Sequence, residues 1–325
     1  MDELFQQLPG RLDRLADRLT ATAFAPDPAV LRRRGRHWRR RRWGAGVVLG
    51  AAVLGGLVVG TGRVLDHRPA PIQRQHQVSL ALAATTPDGG RPDGARLAAT
   101  ARILRARLEA AGIQGGSVQA RGSGLLVEVP AAQWRDDLTA LLATPGRLEL
   151  RPVIAQAAAT DPRAPFSRAR CTATPPAPAA ASGQQAVVCL LPQGAANAAS
   201  ATTKLLVGPA ALGNADIASV QLEPPPPGTS GAAWQVVLTL TGPGGQAFQQ
   251  LTDAAACQPA GSVRRQIAIV VDGTAIQAPP VATDVRCGQG LPSGAAIAVT
   301  GLAEREARIL YALLANQPLP LHVEP

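Results

Sequence analysis

The sequence predicts an α+β protein carried on an N-terminal transmembrane helix, and three observations predict it. An uncharged run, Trp43 to Gly62, stands directly behind a cluster of arginines. Beyond residue 77, short alternating strand patterns are interleaved with apolar residues at helical spacing. All four cysteines, Cys171, Cys189, Cys257 and Cys287, lie beyond the uncharged run. The hydrophobic fraction of 46% is enough to bury a core, although aromatics make up only 3%.

Charge comes first, because the net +10 invites a nucleic-acid reading. Residues 1–43 hold eleven arginines against five acids, and the rest of the chain holds 21 basic residues against 17 acids. The excess is therefore local, in Arg32, Arg33, Arg34, Arg36, Arg39, Arg40, Arg41 and Arg42. No basic surface of nucleic-acid-binding scale is implied elsewhere, and no nucleic-acid partner is expected. Lys204 is the only lysine, and the arginine bias reads as that of a GC-rich genome.

The uncharged run is long enough to cross a bilayer, since twenty helical residues rise about 30 Å. The eight arginines orient it, because positive flanks stay in the cytoplasm. Residues 1–43 are thus expected inside as a tail, 44–62 as the membrane helix, and everything from 63 onward outside. A cleaved signal peptide is the competing reading, but the lead-in is long and no small-residue cleavage site follows. Within the helix, Gly46 and Gly50, then Gly56 and Gly60, form small-residue pairs through which two helices can approach, giving a homodimer. A Gly/Ala-rich composition explains the same glycines without any pairing. In the tail, Leu12, Leu15 and Leu19 mark one face of a short helix from about Pro9 to Ala21.

Residues 63–77 are a polar linker, and a first unit spans 78–153. VSLALAAT reads as a strand, and GARLAATARILRARLEAAG as a helix with Leu97, Ala101, Leu104, Leu108 and Ala111 inward. Asp93 is its N-cap and Gly112 its terminator. SVQARGSGLLVEVP reads as two strands around Arg121–Gly124, followed by a helix over 132–142 and the strand GRLELRPV. That order, β-α-β-β-α-β, is the ferredoxin-like arrangement. Residues 154–204, rich in Ala, Pro, Ser and Thr, read as an insertion or loop without sustained period. Over 205–325 order returns. IASVQLE and WQVVLTL are strands separated by a loop with four consecutive prolines, and GGQAFQQLTDAAAC is a helix. RQIAIVVDGTAIQAPPV is a hairpin with Asp272–Gly273 as its tight turn. AAIAVT is a strand, LAEREARILYALLANQ a helix burying Leu302, Ile309, Leu310, Leu313 and Leu314, and PLPLHVEP a last strand.

An even number of cysteines on the outer side reads as disulfides. Of three connectivities, Cys171–Cys189 and Cys257–Cys287 are favoured because each pair lies within one segment. No metal site is expected: there is no C-x-x-C and no histidine near a cysteine.

Four stretches, in order, resemble the first extracytoplasmic domain of SecD, from the SecD/SecF complex that assists protein export. They are ILRARLEAAGIQGGSVQARGSGLLVEVP, LLVGPAALGNADIASV, IAIVVDGTAIQAPPV and the closing helix with NQPLPLHVEP. The third is the most specific. The resemblance implies a base over 78–153 and a head subdomain over 205–325, with the last strand returning to the base. It also implies partners among exported polypeptides or Sec translocon components. The family's opening motif is absent, VSLALAATTPDGG standing in its place, and the chain ends at Pro325, where further membrane helices begin in the family. With no ionisable residue in 44–62, the expectation is a chain without the proton-driven motor.

No catalytic constellation is evident. His37, His67, His76 and His322 have no nucleophile in a recognisable motif, Gly122-Ser123-Gly124 is a hairpin turn, and Asp136 and Asp137 are adjacent and point apart on a helix. Asp272 is read as turn chemistry. No cofactor and no enzymatic activity are expected. The leading expectation is an extracytoplasmic binding module that holds extended polypeptides. The alternatives are a sensor or regulator signalling through its cytoplasmic tail, and an envelope structural protein.

Overall fold

A computed structural model describes residues 76–161, 166, 171, 183–192, 201–227 and 233–325. The expected tail, membrane helix and glycine pairs lie outside the described residues. Among the described residues no helix is long and apolar enough to cross a membrane. The described residues fall within one compact unit, organised as a base and a head.

The base begins with β1 (Gln77–Thr85), whose alternate residues Leu82 and Ala84 point into the core while Ala81, Ala83 and Thr85 are exposed. Helix α1 (Gly94–Ala110) follows, its start fixed by the Asp93 carboxylate, which accepts from the Arg96 N–H at 2.7 Å. It ends where Gly112 turns to a φ of 84°. The hairpin β2 (Ser117–Arg121) and β3 (Gly124–Pro130) turns at Gly122-Ser123. The short helix α2 (Asp137–Ala143) packs Leu138, Leu141 and Leu142 into the same core. Where a helix over 132–142 was expected, a 3-10 turn (Ala131–Gln133) and an extended Trp134 come first.

The base sheet has the order β13-β1-β3-β2, with β1 antiparallel to both neighbours. Its fourth place is taken by β13 (His322–Glu324), the last strand of the chain, and not by GRLELRPV. Leu319, Leu321 and Val323 come back over 170 residues later to fill the base core beside α2. The expected β-α-β-β-α-β unit is thus split by the head.

GRLELRPV instead opens β4 (Leu148–Ala158), which pairs over 148–152 with β10 (Ile267–Val271) and over 153–158 with β6 (Thr203–Val207). The physical reason is two-sided burial. All five residues of β10 are buried, so its neighbours must be apolar on both faces, and β4 offers Leu148 and Leu150 to one side and Val153 to the other. β6 pairs with β5 (Ala186–Leu190), and β5 runs parallel to β11 (Thr274–Gln277), the hairpin partner of β10. The ring β4-β6-β5-β11-β10 therefore closes on itself around Val153, Val188, Leu205, Val207, Ala268, Val270 and Ala275, and the two-residue β7 (Leu212–Gly213) adds to β4. The stretch 154–204 is therefore not a plain insertion: it supplies β5, the end of β4 and the start of β6.

The rest of the head is a three-stranded antiparallel sheet in the order β12-β9-β8, from β8 (Ile217–Glu223), β9 (Trp234–Leu240) and β12 (Ile297–Leu302). Helices α3 (Gly242–Ala256) and α4 (Glu304–Leu314) enclose a core with Phe248, Val236, Leu238, Ile269, Val299 and Leu310. Leu302 ends β12 rather than starting α4, and it and Ile309 are only half-buried. Helix α4 belongs to both regions: Leu310 and Leu314 face the head core, Ala312 and Leu313 the base core.

Candidate functional site

The polypeptide passes from base to head through Thr144-Pro145-Gly146-Arg147, and the expected turn residues Asp272 and Gly273 sit there. Both have positive φ, 48° and 79°, the geometry of a tight turn matched to strand twist. Asp272 does more than turn. Its carboxylate accepts from the N–H groups of Gly146 (2.8 Å) and Arg147 (2.9 Å), and its own N–H donates to the Arg147 carbonyl at 2.9 Å. From the base side, Arg107 of α1, fully buried, donates to the carbonyls of Leu141 (3.3 Å), Thr144 and Pro145 (2.6 Å). Asn214 adds two bonds, accepting from the Leu148 N–H at 2.9 Å and donating to the Gly146 carbonyl at 3.0 Å. Gly146 is required twice: its φ is 84°, and a Cβ there would stand 2.5 Å from an Arg107 nitrogen.

Burial sets the electrostatics of this clasp. It lowers Arg107 to about 10, with Asp272 pulling the other way. It raises the Asp272 carboxyl above its ordinary value, against the two N–H bonds and the charges of Arg107 and Arg147. A second tie joins α2 to α4: Asp137 pairs with Arg305 at 2.6 Å and with Arg135 at 3.3 Å. The hydrogen bond from Arg305 leads in holding the Asp137 carboxyl below the usual range.

The cysteines pair as Cys171–Cys189 and Cys257–Cys287. The second ties the end of α3 to the long segment between β11 and β12. Beside it, Arg265 donates to five carbonyls, those of Ala256, Gln258, Val281, Ala282 and Val285. Asp253 lies close to Cys257 and Cys287, the one group at metal-ligand spacing among the described residues. With both sulfurs in a disulfide, it has no thiolate to offer. Of the histidines, His322 is half-buried on β13 and His76 is exposed before β1.

Three buried arginines were missed in the sequence: Arg107, Arg265 and Arg151, whose guanidinium meets Glu149 at 2.7 Å and the carbonyls of Gln184 and Gly208. The bias read as base composition therefore places cations on buried carbonyls in both regions. A signal existed for Arg107, which stands three residues after Leu104 on the apolar face of α1.

Among the described residues, β8 ends its sheet as an open edge. Within them it pairs only with β9, as Val220 with Leu238 and Leu222 with Val236. Leu238 and Val236 are fully buried, whereas Ile217, Val220 and Leu222 are half-buried. Nearby, Arg308 of α4 lies over the Trp234 ring, 5.3 Å from its centre.

Residues 190–321 match the family model of the SecDF P1 head subdomain, so the chain is SecDF P1-like over that stretch. Among curated proteins, none matches this chain. Solved structures similar to it include SecDF in its super-membrane-facing form, at 21% identity and a TM-score of 0.46, covering 76% of this chain and 29% of that one. Another is a membrane component SecDF that enhances protein export, at 20% identity and a TM-score of 0.44, covering 76% and 97%. A third is SecDF, a translocon-associated membrane protein from Thermus thermophilus, at 19% identity and a TM-score of 0.30, covering 75% and 30%.

Proposed function

We propose that this chain is a non-enzymatic binding protein of protein export, anchored through residues 44–62 with its N-terminus in the cytoplasm and its base and head outside. In this reading the head holds segments of exported polypeptides beside the Sec translocon. The observation that carries the reading is the match of residues 190–321 to the SecDF P1 head subdomain. The disulfides Cys171–Cys189 and Cys257–Cys287 support an oxidising compartment. The eight arginines from Arg32 to Arg42 support the orientation.

The test is crosslinking of the full-length chain, in its native membrane, to exported polypeptides arrested during translocation. Adducts concentrated on residues 205–325 are expected. Their absence, while a full-length SecD in the same membranes is labelled, would sink the reading.

A further inference from the structure

The sheet edges among the described residues are not alike. β12 is occupied at Thr300, whose carbonyl accepts from the Gln277 side chain at 2.6 Å. β2 is blocked at Val118, whose carbonyl accepts from Arg105 at 2.9 Å. β13 and β7 have three and two residues. β8 has seven, and among the described residues no main-chain partner but β9 reaches it.

Natural edge strands are usually blunted by lysine, proline or inward-pointing charge. From Ile217 to Leu222 there is none of these, and the one charge, Glu223 at the end, accepts from Gln235 at 2.7 Å. The apolar side chains explain what is missing. Val220 and Leu222 face the head core, yet they stay half-exposed beside fully buried cross-strand partners, because among the described residues no strand pairs on their free side. An added strand would pair its main chain with β8 and lay every second side chain on that row.

We propose that β8 is the subsite at which the head takes an extended polypeptide segment, by strand addition, with apolar side chains preferred at alternate positions. This rests on the polypeptide-holding reading and gives it a place. Main-chain pairing suits cargo of many sequences, since most of the affinity comes from groups that every residue carries. The size of the edge selects the occupant. Seven residues extend about 23 Å, and the run Pro224–Pro227 stops further pairing. A contact of that length buries less than the roughly 1,000 Å² expected of a lasting interface. It therefore suits a segment that is held and released better than a stable dimer of this chain.

Hydrogen exchange on the full-length chain in detergent micelles tests this, with reduced and carboxymethylated lactalbumin as a permanently unfolded probe. At saturating probe, the free-edge amides within 217–223 are expected to exchange about tenfold more slowly, and those of 117–121 to be unchanged. Probe bound with protection elsewhere overturns the β8 subsite and leaves polypeptide holding intact. Failure of the probe to bind at all overturns both. Protection of 217–223 that rises with protein concentration and without probe assigns the edge to a second copy, and overturns the proposal. Val220→Lys, which puts a charge into the apolar row, is expected to weaken probe binding about tenfold with the melting temperature as fold control. Unchanged binding by a folded variant overturns the subsite.

Discussion

The base draws its sheet from both ends of the described chain, whereas the head is one continuous stretch that closes on itself. Leu319, Leu321 and Val323 complete the base core, and no cysteine lies in the base. The head carries both disulfides, a ring of five strands and a buried arginine holding five carbonyls. The difference follows from how each region meets its entropy. The base is regular, with short turns and one core, so little chain must be ordered without pairing. The head must fix long irregular stretches, and covalent links and buried arginines do so where strand pairing does not.

The largest effect should come from removing the strand that closes the base. Deleting residues 319–325 removes three buried side chains worth roughly 1.5–3 kcal/mol each, a sum comparable with the ~5–15 kcal/mol of a whole domain. Limited proteolysis should then degrade residues 76–143 while a head fragment with both disulfides survives. Equal loss of both regions would show that base and head do not differ in independence.

Arg107→Met should rank next. It strands three carbonyls and leaves Asp272 without its buried cation, for a loss of about 3–5 kcal/mol by chemical denaturation. Because Arg107 supports the crossing between regions, both should be affected. Loss of Cys257–Cys287 in a Cys257→Ser, Cys287→Ser double variant should cost about 3 kcal/mol. Amide exchange should speed up between residues 257 and 296 and stay unchanged in β1 to β3.

Asp272→Asn keeps a residue that tolerates the positive φ but removes one strong acceptor, for about 1–2 kcal/mol. Exchange at the Gly146 and Arg147 amides should rise ahead of any other. The smallest effect belongs to Asp137. Its carboxyl is held low by Arg305, so its contribution is present above the ordinary carboxylate value of 3.8 and is lost as pH falls through its depressed value. In acid melts, the wild type should lose its small advantage over Asp137→Asn across that window, and a difference independent of pH would break the assignment.

Much of the local structure was legible. Asp93 capped α1, Gly112 ended it, Gly122-Ser123 turned β2 into β3, and Asp272-Gly273 turned β10 into β11. The nearer-in-chain cysteines paired. Each of these rests on backbone geometry or on short sequence separation. The same alternation made GRLELRPV a strand but did not say whose neighbour it was.

Taken alone, the sequence determined the strand and helix periods, the turns, the caps and the local charge excess, because those depend on residues a few positions apart. The return of the last strand to the base was implied by the family resemblance, but only the tertiary structure decided that β4 leaves the base for the head, that five strands of the head close into a ring, and that Asp272 reaches back across 125 residues to Arg147. It alone showed β8 without a second neighbour among the described residues. Partner choice between strands of equal pattern is settled by which cores the side chains can fill at once, and that is a property of the whole packed chain.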